Sequence, residues 1–146
     1  IRLDADVPVS IALSGGLDSS SIAISAQKKG TRFKAITFDG SSGGQSRMEK
    51  SYFKNKEDNL IDFQNSKLLS ENLKIPQEIV KDSKSNLVRD LSECIYALES
   101  GHTSTSIITA AKVYKKASKY AKVIVEGQGA DELMGGYYIN SAFYFF

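Results

Sequence analysis

The residues best suited to chemistry lie in the run Ser14-Gly15-Gly16-Leu17-Asp18-Ser19-Ser20, directly after the apolar stretch Val9 to Leu13. A buried strand that empties into a glycine turn and then into a helix makes a cradle for phosphate. Gly15 and Gly16 lack a Cβ, so the turn is free to take positive φ and to bring backbone N–H groups close to an anion. The hydroxyls of Ser14, Ser19 and Ser20 add donors. A helix starting near Ser19 aims its unsatisfied N–H groups and positive dipole end at the same spot. An aspartate in such a loop would repel a polyphosphate unless a cation stood between them. Asp18 therefore predicts magnesium, a hard ion that takes oxygen ligands and accompanies substrate phosphates. The loop is not a Walker A, because G-x-x-x-x-G-K-S/T occurs nowhere in the chain.

A second glycine-rich segment stands near the other end. Lys122 to Glu126 reads as a second buried strand and runs into Gly127-Gln128-Gly129-Ala130-Asp131-Glu132-Leu133-Met134-Gly135-Gly136-Tyr137. By residue type alone this is a strand-to-helix turn with an acidic helix start, as Asp and Glu favour first helical turns.

The first run resembles S-G-G-x-D-S, the signature of the PP-loop ATP pyrophosphatases, which split ATP between the α and β phosphates to adenylate a substrate. The second resembles the G-x-G-A/S-D-E-x-x-G-G-Y motif of the glutamine-dependent asparagine synthetases and their relatives, the asparagine synthase domain family. The opening Arg2-Leu3-x-x-Asp6-Val7-Pro8-Val9 is similar to the stretch that leads into the PP-loop of that family, so the resemblance spans essentially the whole chain. It implies ATP and Mg2+ as cofactors, with an aspartate side-chain carboxylate attacking the α-phosphate and ammonia then displacing AMP to give asparagine. Carried over by motif position, Ser14, Gly15, Gly16, Ser19 and Ser20 hold pyrophosphate, Asp18 and Asp131 bind magnesium, and Leu13, Phe38 and Gly127 lie along AMP. Catalytic roles are expected of Asp18, Asp131, Gln128 and Glu132. The implied partners are small molecules (ATP, aspartate, ammonia or glutamine), with a glutaminase domain in the full-length protein and a cytoplasmic location.

Two departures from the family pattern bear on the chemistry. Many asparagine synthetases carry a glutamate where Gln128 stands, suited to taking a proton from the incoming ammonia, and a glutamine cannot act as that base. Either Glu126 or Glu132 compensates, or the chain is a relative that amidates a different carboxylate. The family's domain also continues beyond the G-G-Y motif, whereas this chain stops at Phe145-Phe146, which reads as a fragment of a longer enzyme. A non-catalytic nucleotide-binding remnant is the main alternative. A tRNA-modifying PP-loop enzyme would share the first motif but not the second, and no paired-cysteine or strongly basic module accompanies it.

Composition bounds the rest. A chain of 146 residues that is 41% hydrophobic is one domain's worth with enough apolar content for a core. A formal charge of +2 is too small to imply nucleic acid or a membrane. The chain has no apolar run long enough to span a bilayer and no basic-then-apolar start, so neither a membrane span nor a signal peptide is expected. The single cysteine excludes an internal disulfide and fits the cytosol. Leu87, Leu91, Cys94, Ile95 and Leu98 fall on one helical face, which makes Cys94 a small core residue rather than a nucleophile.

The elements between the motifs alternate strand and helix. A helix over Ser19 to Lys29 stops at Gly30, and Phe33 to Phe38 is a strand whose family counterpart lends backbone contacts to the adenine. From Asp39 to about Glu57 the lack of apolar period predicts a mobile loop or insert. Leu60, Ile61, Phe63, Leu68, Leu69 and Leu73 then sit on a helix before Pro76, and Gln77 to Val80 forms a short strand or edge. Helices follow near Asn86 to Leu98 and Ser106 to Ala121. The expected fold is α/β: three layers, a mostly parallel, Rossmann-like sheet flanked by helices, with ligands bound beyond the carboxyl ends of the strands. Both glycine motifs leave strands at that edge, so they can face one nucleotide. On the last helix, Ile107, Ala110, Ala111, Tyr114, Ala117 and Ala121 form the expected apolar stripe, while Lys112, Lys115, Lys116 and Lys119 read as a solvated face rather than an RNA-binding one. His102, in the loop between these helices, has no carboxylate or cysteine at metal spacing and reads as a surface residue.

Overall fold

The alternation of β1 (Val9–Ala12) sets the layers, because successive side chains of a strand point to opposite faces. Val9, Ile11 and the following Leu13 pack into one core, while Ala12 joins the other. In a computed structural model, which describes residue 3 and residues 5–40, 56–81, 86–101, 104 and 106–136, β1 is joined by β2 (Phe33–Asp39), β3 (Gln77–Lys81) and β4 (Val123–Val125). These strands form one parallel four-stranded sheet in the order β3-β2-β1-β4. Val9 pairs with Phe33 on one side and Val123 on the other, so these three strands begin at the same level, and β4 and β1 also end within a residue of each other.

Helices α1 (Leu17–Lys28) and α2 (Lys56–Asn72) cover one face. There Ala23 and Ala26 of α1 meet Val9, Ile11, Leu13, Phe33 and Ala35, with Leu69 of α2 and Leu73 just beyond its end packed alongside. On the opposite face α4 (Ser106–Ala117) sets Val113 and Ala117 against Ile36, Phe38, Val80 and Ile124. Helix α3 (Leu87–Leu98) lies on α4, and a short α5 (Ala130–Met134) follows β4. The expected three-layer parallel α/β architecture is what these residues build.

Several boundaries and faces differ from the sequence reading. Helix α1 begins at Leu17 with Gly16 as its N-cap, two residues before Ser19, and this puts Asp18 inside the first turn, where the helix dipole favours an anion. Strand β4 is half-buried rather than buried, since it pairs only with β1 and forms an edge of the described sheet. In α4 the fully buried residues are Ile108, Val113 and Ala117, so the inward stripe is rotated from the expected one; the adjacent Ile107 and Ile108 left that phase ambiguous. Two of its lysines are not simply solvated. Lys116 Nζ lies 3.1 Å from Glu78 Oε2 on β3 and Lys112 Nζ 3.6 Å from Asp90 Oδ2 on α3, fastening α4 to both neighbours. In α3 only Cys94 is buried, as expected for a core cysteine, while Leu87, Ile95 and Leu98 stay exposed; among the described elements α4 packs most closely on that helix. Of the loop expected from Asp39 to about Glu57, Asp39 belongs to β2 and Lys56 and Glu57 to α2, while residues 41–55, like His102, Tyr137, Arg2 and Phe145-Phe146, lie outside the described residues.

A chain of buried hydrogen bonds fixes the point where β1 becomes a loop. Thr37 Oγ1 donates to the Leu13 carbonyl at 2.8 Å, and Leu13 N–H donates to the Ile36 carbonyl at 2.9 Å. Gln77 Nε2 donates to Thr37 Oγ1 at 2.8 Å and to Ser66 Oγ at 3.3 Å, and Ser66 in turn donates to the Phe63 carbonyl at 2.8 Å. With Thr37 and Ser66 almost fully buried, each unmade bond would carry the desolvation cost of an orphaned polar group. Thr37→Val keeps the shape and removes the hydroxyl, so it is expected to lower unfolding free energy by about 1–3 kcal/mol. Thr37→Ser should retain most of the stability. Urea denaturation of the two variants checks this, and a Thr37→Val protein as stable as the unsubstituted one would show that the network contributes nothing.

Candidate functional site

The turn after β1 is held from within. Ser14 N–H donates to Ser19 Oγ at 3.2 Å, the two hydroxyl oxygens are 3.0 Å apart, and Ser19 Oγ donates to the Gly16 carbonyl at 3.3 Å. Gly16 N–H donates to Ser14 Oγ at 3.3 Å. The two serines thus shape the turn, and Ser19 is buried in doing so.

Gly15 alone takes positive φ there, at +96°. A Cβ at this position would collide with the Asp62 carbonyl of α2 and sit 2.9 Å from Ser66 N, so α2 roofs the turn directly over Gly15. Gly16 is extended (φ −71°, ψ 167°) and the nearest atom to a Cβ there would be Ser14 Oγ at 3.5 Å, an ordinary contact. Only one of the two glycines uses the freedom expected of both.

The second motif docks on the first through Gly127. A Cβ there would lie 2.9 Å from both Asp18 Cβ and Ser19 N, closer than carbon atoms pack. With β4 beside β1, this contact closes one side of a cavity of about 470 Å³ at the carboxyl edge of the sheet. Leu13, Ser14, Gly16, Asp18 and Ser19 line it from the first motif, and Glu126, Gly127 and Gln128 from the second. Ala12, Ile36, Phe38 and Val113 give it an apolar floor, with Asp62 and Phe63 of α2 at the side. An apolar floor beside a loop of N–H groups and a helix N-terminus suits a flat ring joined to phosphates.

The remaining expected site residues lie elsewhere. Gly15 and Ser20 stand behind the wall, the Ser20 N–H donating to the Gly16 carbonyl at 3.1 Å. Asp131 and Glu132 occupy the first turn of α5 and do not line the cavity. The Asp131 carboxylate folds against Gly136, where a Cβ would collide with its Oδ1, and its carbonyl accepts the Gly136 N–H at 3.0 Å.

The wall also holds groups the sequence did not single out together. Tyr114 of α4 donates its phenol to Glu126 Oε2 at 2.8 Å. Desolvation, and then the Glu126 carboxylate it bonds, push the Tyr114 phenol up to about 12, so it stays a donor at neutral pH. Asp62 carried no sequence signal, because it reaches the site only through the packing of α2 over Gly15. Among the described lining residues are three carboxylates, Asp18, Asp62 and Glu126, and no Lys or Arg. A polyphosphate entering such a wall needs a cation with it. No group of three or more His, Cys, Asp or Glu converges among the described residues, and magnesium needs none, since one or two carboxylates, waters and substrate phosphates complete its shell. Asp18, in the first turn of α1, fits that role.

The model of the asparagine synthase family matches residues 1–144. Proteins of Mycobacterium bovis and Mycobacterium tuberculosis named as asparagine synthetases (glutamine-hydrolyzing) are 31% identical over 139 residues, which is 94% of this chain and 19% of theirs. The chain thus spans about a fifth of the length of those relatives. Among solved structures, the NMN synthetase of Francisella tularensis superposes with a TM-score of 0.49 and 19% identity, covering 89% of this chain and 49% of that one.

The glycine geometry yields a graded expectation. Gly15→Ala must pay for a left-handed backbone, about 1–2 kcal/mol, and for displacing α2 as well. Gly127→Ala should separate the two motifs, whereas Gly16→Ala should leave the melting temperature close to that of the unsubstituted protein. Thermal unfolding of the three variants tests the order, and an unperturbed Gly15→Ala protein would refute the close approach of α2 to the turn.

Proposed function

The chain belongs to the asparagine synthase family, a family of ATP-dependent amidating ligases, and we propose that its cavity binds ATP and adenylates a carboxylate that is then converted to an amide. The observation that carries this reading is the contact of Gly127 with Asp18 and Ser19, which puts both motifs on one wall with an apolar floor. In the proposed complex the adenine rests on Leu13, Ile36, Phe38 and Val113. The phosphates face the Gly16 N–H, the Ser14 hydroxyl and the N-terminus of α1. The acceptor is an aspartate side chain, one oxygen of which attacks the α-phosphorus while the bond to the bridging oxygen of the β-phosphate breaks. The electron pair leaves with pyrophosphate.

What the chain supplies in this step is placement and fixed dipoles. The α1 N-terminus stabilises charge as it moves onto the leaving pyrophosphate, and the Gly16 N–H would join it by leaving its 3.3 Å bond to Ser14 Oγ. Magnesium held by Asp18 would supply charge neutralisation on the phosphates. Asp131, in the first turn of α5, is the second proposed ligand, and it would join the ion only with its carboxylate turned from Gly136 toward the cavity. In the second step ammonia, drawn from glutamine by a glutaminase domain in the whole protein, displaces AMP. A cytoplasmic setting is part of the same proposal.

ATP–pyrophosphate exchange in the whole gene product tests the reading. Exchange should require a carboxylic acid, with aspartate the best, and Asp18→Asn should lower it by about 10²–10³-fold, the usual effect of removing one preorganised charge-stabilising group. Exchange supported by another acid and not by aspartate would move the acceptor, consistent with the departure at Gln128. Tight ATP binding with no acid-dependent exchange would instead favour a nucleotide-binding protein without ligase activity.

A further inference from the structure

We propose that Glu126, held by the Tyr114 phenol, accepts the proton released when ammonia attacks the acyl-adenylate, an inference that rests on the ligase reading of the same cavity. Gln128 lines the cavity too, but it is exposed and its amide has no affinity for a proton at neutral pH. Glu132 is exposed on α5 and off the wall. Of the other carboxylates on the wall, Asp18 belongs to the phosphate turn, and Asp62 comes from α2, whose backbone roofs that same turn. Glu126 is half-buried and directly precedes Gly127, the residue that joins the two motifs.

The carboxylate is also set up for the task. Tyr114 O–H donates to Oε2 at 2.8 Å, which fixes a side chain that would otherwise sample many rotamers. Among the described residues Oε1 accepts no hydrogen bond, and Glu126 forms no ion pair with a Lys or Arg. One oxygen is therefore anchored and the other is available. Tyr114 is the positioning residue, coming from α4 on the far side of the cavity from α1.

The step balances without a further reactant. The lone pair of neutral ammonia forms a C–N bond at the acyl carbon, and the carbonyl π electrons move to oxygen. Glu126 Oε1 takes one proton from the resulting ammonium nitrogen. The carbonyl re-forms as the bond between the acyl carbon and the phosphate oxygen breaks, and that electron pair leaves with AMP. The proton on Glu126 then passes to water at the open mouth of the cavity.

The test measures both half-reactions in the whole gene product with ammonium chloride as nitrogen donor, and reads the ratio of amide formed to pyrophosphate exchanged. Glu126→Gln, which keeps size and shape, should lower that ratio by about 10²- to 10⁴-fold, and Glu126→Asp should recover part of it. Tyr114→Phe should lower the ratio on its own and add no further loss in the Glu126→Gln background, a coupling that a purely structural role would not produce. An unchanged ratio in Glu126→Gln overturns the assignment while leaving the ligase reading intact. Equal loss in both half-reactions overturns it too, by making Glu126 a structural residue. An unsubstituted protein with no acid-dependent exchange would remove the ligase reading and this inference with it.

Discussion

Backbone lies against backbone where Gly127 meets Asp18 and Ser19, and the carboxyl edge of the sheet is organised around that approach. It is possible because β4 pairs with β1 in parallel and in register with β2, so the chain leaves both strands at one level. A side chain at position 127 would hold the two turns apart and open the wall. The cavity is thus a consequence of strand register first and of residue chemistry second, as expected for a parallel α/β sheet whose ligands sit beyond the strand ends.

The second constraint is the roof over Gly15. Helix α2 brings its Asp62 carbonyl down onto the turn, and the Thr37, Gln77 and Ser66 bonds pin α2 and β3 to the end of β1. Buried hydrogen bonds of this kind are directional where apolar packing is not, so they fix the height of the loop as well as its burial. The apolar cores on either face hold the layers together, and the polar chain decides where the first motif sits relative to them.

Charge is distributed in a way that matches these roles. Lys116 and Lys112 of α4 are engaged with Glu78 and Asp90, and Lys34 also reaches Glu78 at 3.4 Å while its ammonium lies 3.7 Å from the centre of the Tyr120 ring. Among the described residues the cavity wall is left with carboxylates, a helix N-terminus and loop N–H groups. Such a wall suits the polyphosphate and cation proposed for it, and it holds one carboxylate, Glu126, on a neutral donor instead of a positive partner. That distinction separates a carboxylate committed to structure from one able to take a proton.

The sequence by itself determined the elements and the class of site. Apolar runs broken by glycine turns gave strands and helices within two or three residues of their observed bounds for β1, β2, β3 and α3, and two motifs at strand ends required a shared edge. Residue types at Ser14, Gly15, Gly16, Asp18, Ser19 and Ser20 were enough to propose phosphate, because the chemistry of a glycine turn before a helix is local. Contacts between distant elements were decided only by tertiary structure. Whether Gly15 or Gly16 takes positive φ depends on α2 lying over the turn, and the face that α4 turns inward depends on the sheet it meets. The meeting of Tyr114 with Glu126 joins a helix to the end of an edge strand, and Asp62 reaches the cavity from a third element. No periodicity encodes those meetings, since each depends on where separate elements pack and not on the order of residues within one.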